Sequence, residues 1–436
     1  MNSAAVLTSC VMNSANSDVS RSIDAIWRIE AARLIAALTR MLRDVGLAEE
    51  YAQDALVTAL EQWPRGGIPD NPGAWLMTAA RHRAIDHIRR RDMLTRTHEM
   101  LGHEADMRQR DGEDPAAAAE HEGLDDDLLR LIFISCHPVL PREARTALTL
   151  KLVGGLSTPE IARAFLVPEP TIAQRIVRAK RTLRDAAIEF EMPSTQERAA
   201  RVASVLEVIY LIFNEGYSAT AGADWMRPAL CEEALRIGRI LAELASGEAE
   251  VHGLVSLMEI QASRLAARTD TNGNPILIGD QNRARWDRLQ IRRGLNALER
   301  GERLVQPHGP YLLQAEIAAC HARAVTPDKT DWLSIEQFYR ELVELTGSPV
   351  VRLNRAVAVA MAWGPAAGLA LVDELEAEGS LASYHLLPSV RGDLLERLGR
   401  LDEARTAFEH AAGMTLNEGE RRLLTRRAAA CTGGTH

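Results

Sequence analysis

The sequence predicts an all-α protein, on two observations. Of its 436 residues 46% are hydrophobic and 25% charged but only 4% aromatic, with Ala, Leu and Arg used heavily, a composition that suits helices over sheets. Apolar residues also recur at helical spacing in one segment after another. At ~100–200 residues per domain, this length implies two to four domains.

The formal net charge of −9 is unevenly spread. From His98 to Asp127 there are eleven acids against two arginines, Arg108 and Arg110. Such a stretch buries too little apolar surface to fold and reads as an acidic flexible linker over residues 97–123. Removing it leaves two basic flanks. The cysteines, Cys10, Cys136, Cys231, Cys320 and Cys431, stand singly with no CxxC pair or metal-ligand spacing, which suits a reducing cytosol and predicts no metal or other cofactor. Residues 1–21 lack a basic n-region with an apolar core, and no 18 apolar residues run together. The expectation is a cytoplasmic protein with a disordered leader over 1–21 and no membrane partner.

The first flank covers residues 22–96. "IDAIWRIEAARLIAALTRML" places Ile26, Ile29, Leu34, Ala37, Leu38 and Met41 on the inner face of an amphipathic helix. "LAEEYAQDALVTALEQW" predicts a second helix, with Leu47, Ala55, Leu56, Ala59 and Leu60 inward and Glu49, Glu50, Gln53 and Asp54 outward. "PRGGIPDNPG" then breaks the helix. In "AWLMTAARHRAIDHIRRRD", Leu76, Ala80, Ala84 and Ile88 share one face while Arg81, Arg83, Arg89, Arg90 and Arg91 crowd the others and the C-terminal end. Cations there suit the helix dipole, but their clustering also suits a nucleic-acid backbone, whose phosphates arginines neutralise.

The second flank covers residues 124–190. Helices ending at Gly154-Gly155 precede a short helix from Thr158 to Phe165, a turn "LVPE", and a further helix opened by Pro170 at a first-turn position where its missing N–H costs nothing. Ile172, Ile176, Ala179 and Leu183 form its inward stripe. Between Pro170 and Arg184 stand Arg175, Arg178, Lys180, Arg181 and Arg184 with no acid. A small residue early in the first helix (Ala162), apolar anchors across the turn (Val167, Ile172) and polar residues near the second N-terminus are what a helix-turn-helix reader needs. Thr171, Gln174 and Arg175 are then candidates for base edges, and Arg178, Lys180 and Arg181 for phosphates.

Together the flanks resemble the extracytoplasmic-function (ECF) class of RNA polymerase sigma factors. "EYAQDALVTALEQW" is similar to the region 2 helix that docks on the polymerase clamp, "AWLMTAARHRAIDHIRRR" to the run that holds and melts the −10 element, and residues 156–184 to the region 4 helix-turn-helix that reads the −35 element. The resemblance implies core RNA polymerase and promoter DNA as partners. It assigns Glu50, Gln53 and Asp54 to the polymerase, and Arg81, Arg83, Asp86, Arg89, Arg90 and Arg91 to the −10 DNA. A flipped-out base would be captured at the loop Pro64 to Pro72, flanked by Trp63 and Trp75, since aromatic walls suit an unstacked base. A turn position often held by glycine is Leu166 here, and the chain continues far beyond region 4, as in a subgroup with a long C-terminal extension.

That tail predicts more helices. Ser194 and Glu197 form a capping box before "RAARVASVLEVIYLIF", and "RPALCEEALRIGRILAEL", "EVHGLVSLMEIQASRLAA", "DQNRARWDRLQIRRGLNALERG" and "YLLQAEIAACHARA" follow. These suggest a helical extension over 191–300. Over 301–430, Gly392, Leu395, Ala404, Phe408 and Ala411, with a weaker copy in Ala356, Val359, Gly368, Val372 and Leu375, match the offsets of tetratricopeptide repeats, which stack into a solenoid. "DTNGNPILIGDQ" fails as a calcium loop, because Pro275 and Gln281 stand where Gly and Glu are required. Cys136-His137 lies in an apolar run and reads as core. With no catalytic constellation the chain reads as a non-enzymatic promoter-specificity subunit, regulated by an extension that contacts its own sigma domains or a protein partner. The competing reading is a freestanding helix-turn-helix regulator with a repeat-built sensor.

Overall fold

No glycine or proline stands before Gly46, and the first helix runs unbroken over a long stretch. In the computed structural model, which describes residues 3–100, 124–165, 167–218, 226–271, 273–304 and 307–431, α1 spans Ser3–Leu42. Helix thus occupies positions where a disordered leader is expected, for want of a breaker. Most of the acidic linker, residues 101–123, lies outside the described residues, as does Leu166. Among the described residues there are eighteen α-helices, short 3-10 turns, one isolated bridge between Thr269 and Pro275, and no strand. The all-α expectation holds.

The chain divides into two compact units, 1–208 and 209–436. In the first, α2 (Val45–Gly66) is capped by Asp44, whose carboxylate accepts from the Gly46 and Leu47 amides at 2.7 and 3.0 Å. Ala48, Ala52, Ala55 and Ala59 form a fully buried ladder on α2 beside Leu34, Ile35 and Leu38 of α1. Small residues on one face let two helix axes approach closely. α3 (Pro72–Met100) adds Leu76, Ala80 and Ala84 to this core. Three expected orientations are corrected. Ile29 is 61% and Leu60 41% exposed, whereas Glu49 is only 4% exposed.

α4 (Leu124–Ser135), α5 (Arg142–Leu152), α6 (Thr158–Phe165) and α7 (Glu169–Asp185) follow. Cys136 is buried, its thiol 3.2 Å from the Thr149 hydroxyl and pushed up to about 11 by burial. Burial and the neighbouring Arg201 hold His137 down to about 4. α8 (Thr195–Tyr217) opens on the expected capping box, the Ser194 hydroxyl donating to Glu197 at 2.7 Å. Its first half belongs to the first unit, where the Arg201 guanidinium donates to the Phe133 carbonyl at 3.0 Å and the Ser204 hydroxyl to the Cys136 carbonyl at 2.6 Å.

In the second unit α9 (Pro228–Leu244), α11 (Arg288–Leu304) and α12 (Pro310–Arg323) surround α10 (Ala249–Ala262), which is buried from Val251 to Ile260. The helix expected from residue 280 starts at Arg288. The Asn282 side chain accepts from the Ala284 amide at 3.0 Å and holds a turn there, while Asp287 caps the helix, accepting from the Leu289 and Gln290 amides at 2.8 and 3.1 Å. Six helices complete the unit, α13 (Trp332–Thr346), α14 (Pro349–Trp363), α15 (Pro365–Glu378), α16 (Leu386–Arg397), α17 (Leu401–Met414) and α18 (Glu418–Ala430), each packed on the next. Gly368 and Gly392 allow the close approaches, since a Cβ there would meet Ala360 at 2.5 Å and Phe408 at 2.7 Å. No helix among the described residues is long and apolar enough to cross a membrane.

Candidate nucleic-acid interface

The α6–α7 pair is built as a helix-turn-helix. Ser157 and Glu160 cap α6 reciprocally, the Ser157 amide and hydroxyl both donating to the Glu160 carboxylate at 2.8 and 2.7 Å. Burial opposes ionisation of Glu160, but these bonds and the Arg28 guanidinium, 2.7 Å away, hold its carboxyl below the usual value. The Val167 amide closes the turn on the Ala162 carbonyl at 3.1 Å. Ile172, Ile176, Ala179 and Leu183 are all buried, as their spacing predicts. Gln174, Arg178, Arg181 and Arg184 lie exposed on the opposite face, and Thr171 and Arg175 are half-buried beside them. Arg181 reaches Asp185, one turn on, at 3.3 Å.

α3 presents the second basic surface. Arg89, Arg90, Arg91 and Asp86 are exposed, and Arg81 is half-buried. Arg83 is engaged, 2.6 Å from Asp54 and 3.2 Å from the Thr58 hydroxyl of α2. Trp75 is half-buried and meets Trp63 edge-on, ring centroids 5.3 Å apart. Trp63 is core, so of the two rings flanking the loop only Trp75 is accessible to an unstacked base.

On α2 Glu50 is exposed, Gln53 donates to Glu49 at 2.6 Å, and Asp54 holds Arg83. The buried Glu49 carboxylate takes Lys151 of α5 at 3.5 Å and is in direct contact with the Lys180 ammonium of α7. Lys180, expected to meet phosphate, is thus engaged by Glu49, with its side chain turned from solvent towards α2. Position 180 follows Ala179 and stands one turn after Ile176, at the margin of the inward stripe, which is the signal that the charge count passed over. Asp127, counted among the linker acids, is fully buried between Arg130 at 2.7 Å and Arg40 at 3.3 Å, with burial raising its carboxyl pKa against the pull of both arginines. Glu49, Asp127 and Lys151 together tie the first flank to the second within the unit.

Comparison with known proteins agrees with this geometry. Sigma-70 region 2 matches residues 27–93, and sigma-70, region 4 matches 130–183. A family of unknown function (DUF6596) matches 201–302. An uncharacterized protein of Rhizobium meliloti is 44% identical over 388 residues, covering 88% of this chain and 90% of that one. A probable ECF RNA polymerase sigma factor, SigI of Mycobacterium tuberculosis, is 28% identical over 178 residues, 40% of this chain and 59% of its own length. The ECF RNA polymerase sigma factor SigK of Mycobacterium bovis is 29% identical over 161 residues, 35% of this chain and 79% of the relative.

Proposed function

We propose that this chain, which belongs to the ECF sigma-factor family and bears a C-terminal helical extension, binds core RNA polymerase and directs it to promoters with −35 and −10 elements. The observation that supports this best is the outward face of α7. Gln174 and Arg175 stand near the N-terminal end of a helix anchored by its buried stripe, the position from which a recognition helix reads base edges. Arg178, Arg181 and Arg184 follow on its solvent side, where phosphates would be met. Thr171 would contribute a further base contact.

In region 2, Trp75, Arg81, Asp86 and Arg89 to Arg91 would hold the −10 strand, and Glu50, Gln53 and Asp54 the polymerase. Arg83 and Lys180 would join only after leaving Asp54 and Glu49. Engagement therefore requires these ion pairs to exchange for contacts with DNA and polymerase. We further propose that the extension regulates these steps, through contacts with the sigma regions or a protein partner, and that the protein acts in the cytoplasm without catalysing a reaction itself.

Run-off transcription with core polymerase, on promoters upstream of this gene and its neighbours, tests the reading. The expected result is promoter-specific transcripts that depend on the chain. Truncation for the same assay should fall after Val208 and not near 190, because Arg201 and Ser204 complete the region 4 core. The difference between full-length and truncated chains gives the sign of the extension's effect.

A further inference from the structure

Aromatic residues are scarce in this chain, yet five of them meet at one cavity in the second unit. Tyr210, Phe213 and Tyr217 reach it from α8, Trp286 from the turns before α11, and Tyr339 from α13, around about 280 Å³ of space. That volume is just below the ~300–1,000 Å³ typical of ligand pockets, and the rings share the lining with polar side chains, among them Asn214, Gln314 and Asn354. Among the described residues, Arg264 is the one charged group lining the cavity and no carboxylate lines it.

Arg264 and Arg283 are held here by hydroxyl, amide and carbonyl oxygens and by an aromatic ring. Arg264 donates to the Tyr217 hydroxyl and the Gln261 amide oxygen, with its guanidinium 5.7 Å from the centroid of the Trp286 ring. Arg283 lies 4.8 Å from the same ring and donates to the His321 and Ala324 carbonyls at 2.7 and 2.5 Å and to the Thr330 hydroxyl at 3.2 Å. Neither has a carboxylate within ion-pair distance among the described residues. Burial and these two cations hold His321, which also lines the cavity, down to about 4, so the imidazole is neutral and does not discharge the site. Trp286 is 3% exposed, and its indole N–H has no hydrogen-bond partner. A buried donor left unmade costs free energy that an incoming acceptor would recover.

We propose that this cavity binds a small aryl carboxylic acid, its carboxylate received by Arg264 and the Trp286 N–H and its flat body by the rings of Tyr210, Phe213 and Tyr339. The positive field selects the anion, and the aromatic walls select a planar apolar body. The proposal does not depend on the sigma-factor reading, since the cavity lies wholly within the extension.

Calorimetric titration of the full-length chain with phenylacetate, and with phenylacetamide as the neutral isostere, tests it. Phenylacetate should bind, and phenylacetamide should bind at least ~10-fold more weakly, because the lost contact is a charged hydrogen bond. Arg264→Gln should weaken phenylacetate by ~10–100-fold and Trp286→Phe by several-fold, while thermal unfolding reports whether each variant is folded. Absence of phenylacetate binding up to ~10 mM, equal binding of acid and amide, or folded variants that bind as the unaltered chain does would overturn the proposal. The acid-to-amide ratio on the unaltered protein decides the matter even where a variant fails to fold.

Discussion

The two units use arginine in opposite ways. In the first, Arg89 to Arg91 of α3 and Arg178, Arg181 and Arg184 of α7 are exposed, Arg181 and Arg184 beside Asp185. In the second, Arg264, Arg268 and Arg283 lie against the rings of Tyr217 and Trp286, and Arg427 lies 4.4 Å from the Phe408 ring centroid. An exposed guanidinium retains most of its hydration, and where a row of them meets phosphates the affinity depends on salt. A desolvated one, fixed by carbonyls and rings or, for Arg427, by Asp393 and Glu396 as well, has exchanged availability for position. The same residue type is thus displayed on the surface in one unit and set against aromatic rings in the other.

The comparison yields predictions of graded size. Replacing Arg178, Arg181 and Arg184 together by alanine should lower promoter affinity by ~10²–10³-fold and reduce the salt slope by ~3, with little change in melting temperature. An unchanged slope in a salt titration would place the DNA elsewhere. Arg175→Ala should cost ~1–3 kcal/mol at one −35 base and little at the others, which a panel of −35 substitutions measures. Arg283→Ala should do the reverse of the triple variant, lowering stability by ~2–4 kcal/mol in chemical denaturation while leaving DNA affinity intact, because it removes the donor from three acceptors, two of them in buried bonds.

Glu49→Gln tests a site where the contrast blurs, since Lys180 is half-buried in an otherwise outward-facing series. Loss of the shared charge should destabilise the first unit by ~1–3 kcal/mol and speed amide exchange in α7. Slower exchange there would contradict the ion-pair account.

The smallest effect is that of pH, and it occurs in both units. His137 and His321 are held near 4 in the folded chain, the first by burial and Arg201, the second by burial and Arg264 with Arg283. Unfolded, each returns towards ~6.5 and binds protons more readily than the native state does. Stability is therefore full above that value and declines as pH falls from ~6.5 to ~4. Denaturation at pH 7 and pH 5 should show the decline, and His321→Gln should remove part of it, on the order of 1 kcal/mol.

Periodicity made much of this legible in the sequence. The stripe Ile172, Ile176, Ala179 and Leu183, and Ala55 and Ala59 of α2, depend on local spacing alone, and all are buried, whereas Ala48 and Ala52 of the same ladder were not part of the expected inward face. Glu49 was not legible, because burying a carboxylate requires cations that the fold brings from α5 and α7, far along the chain. The burial of Asp127, which closes the acidic run, was hidden for the same reason, its counterion Arg40 coming from α1. The helix start at Arg288 turned on side-chain caps at Asn282 and Asp287 that compete with a good apolar repeat. The cavity was invisible because its rings come from positions between 210 and 339 with no common spacing.

The central claim is that the chain joins core polymerase and opens promoter DNA. Permanganate footprinting of thymines around the −10 element, with core polymerase and the chain each added alone and then together, measures that step. Reactive thymines only when both are present are the predicted result. An unreactive promoter in that mixture, with opening seen only when the chain is added to a pre-formed holoenzyme carrying another sigma factor, would contradict it.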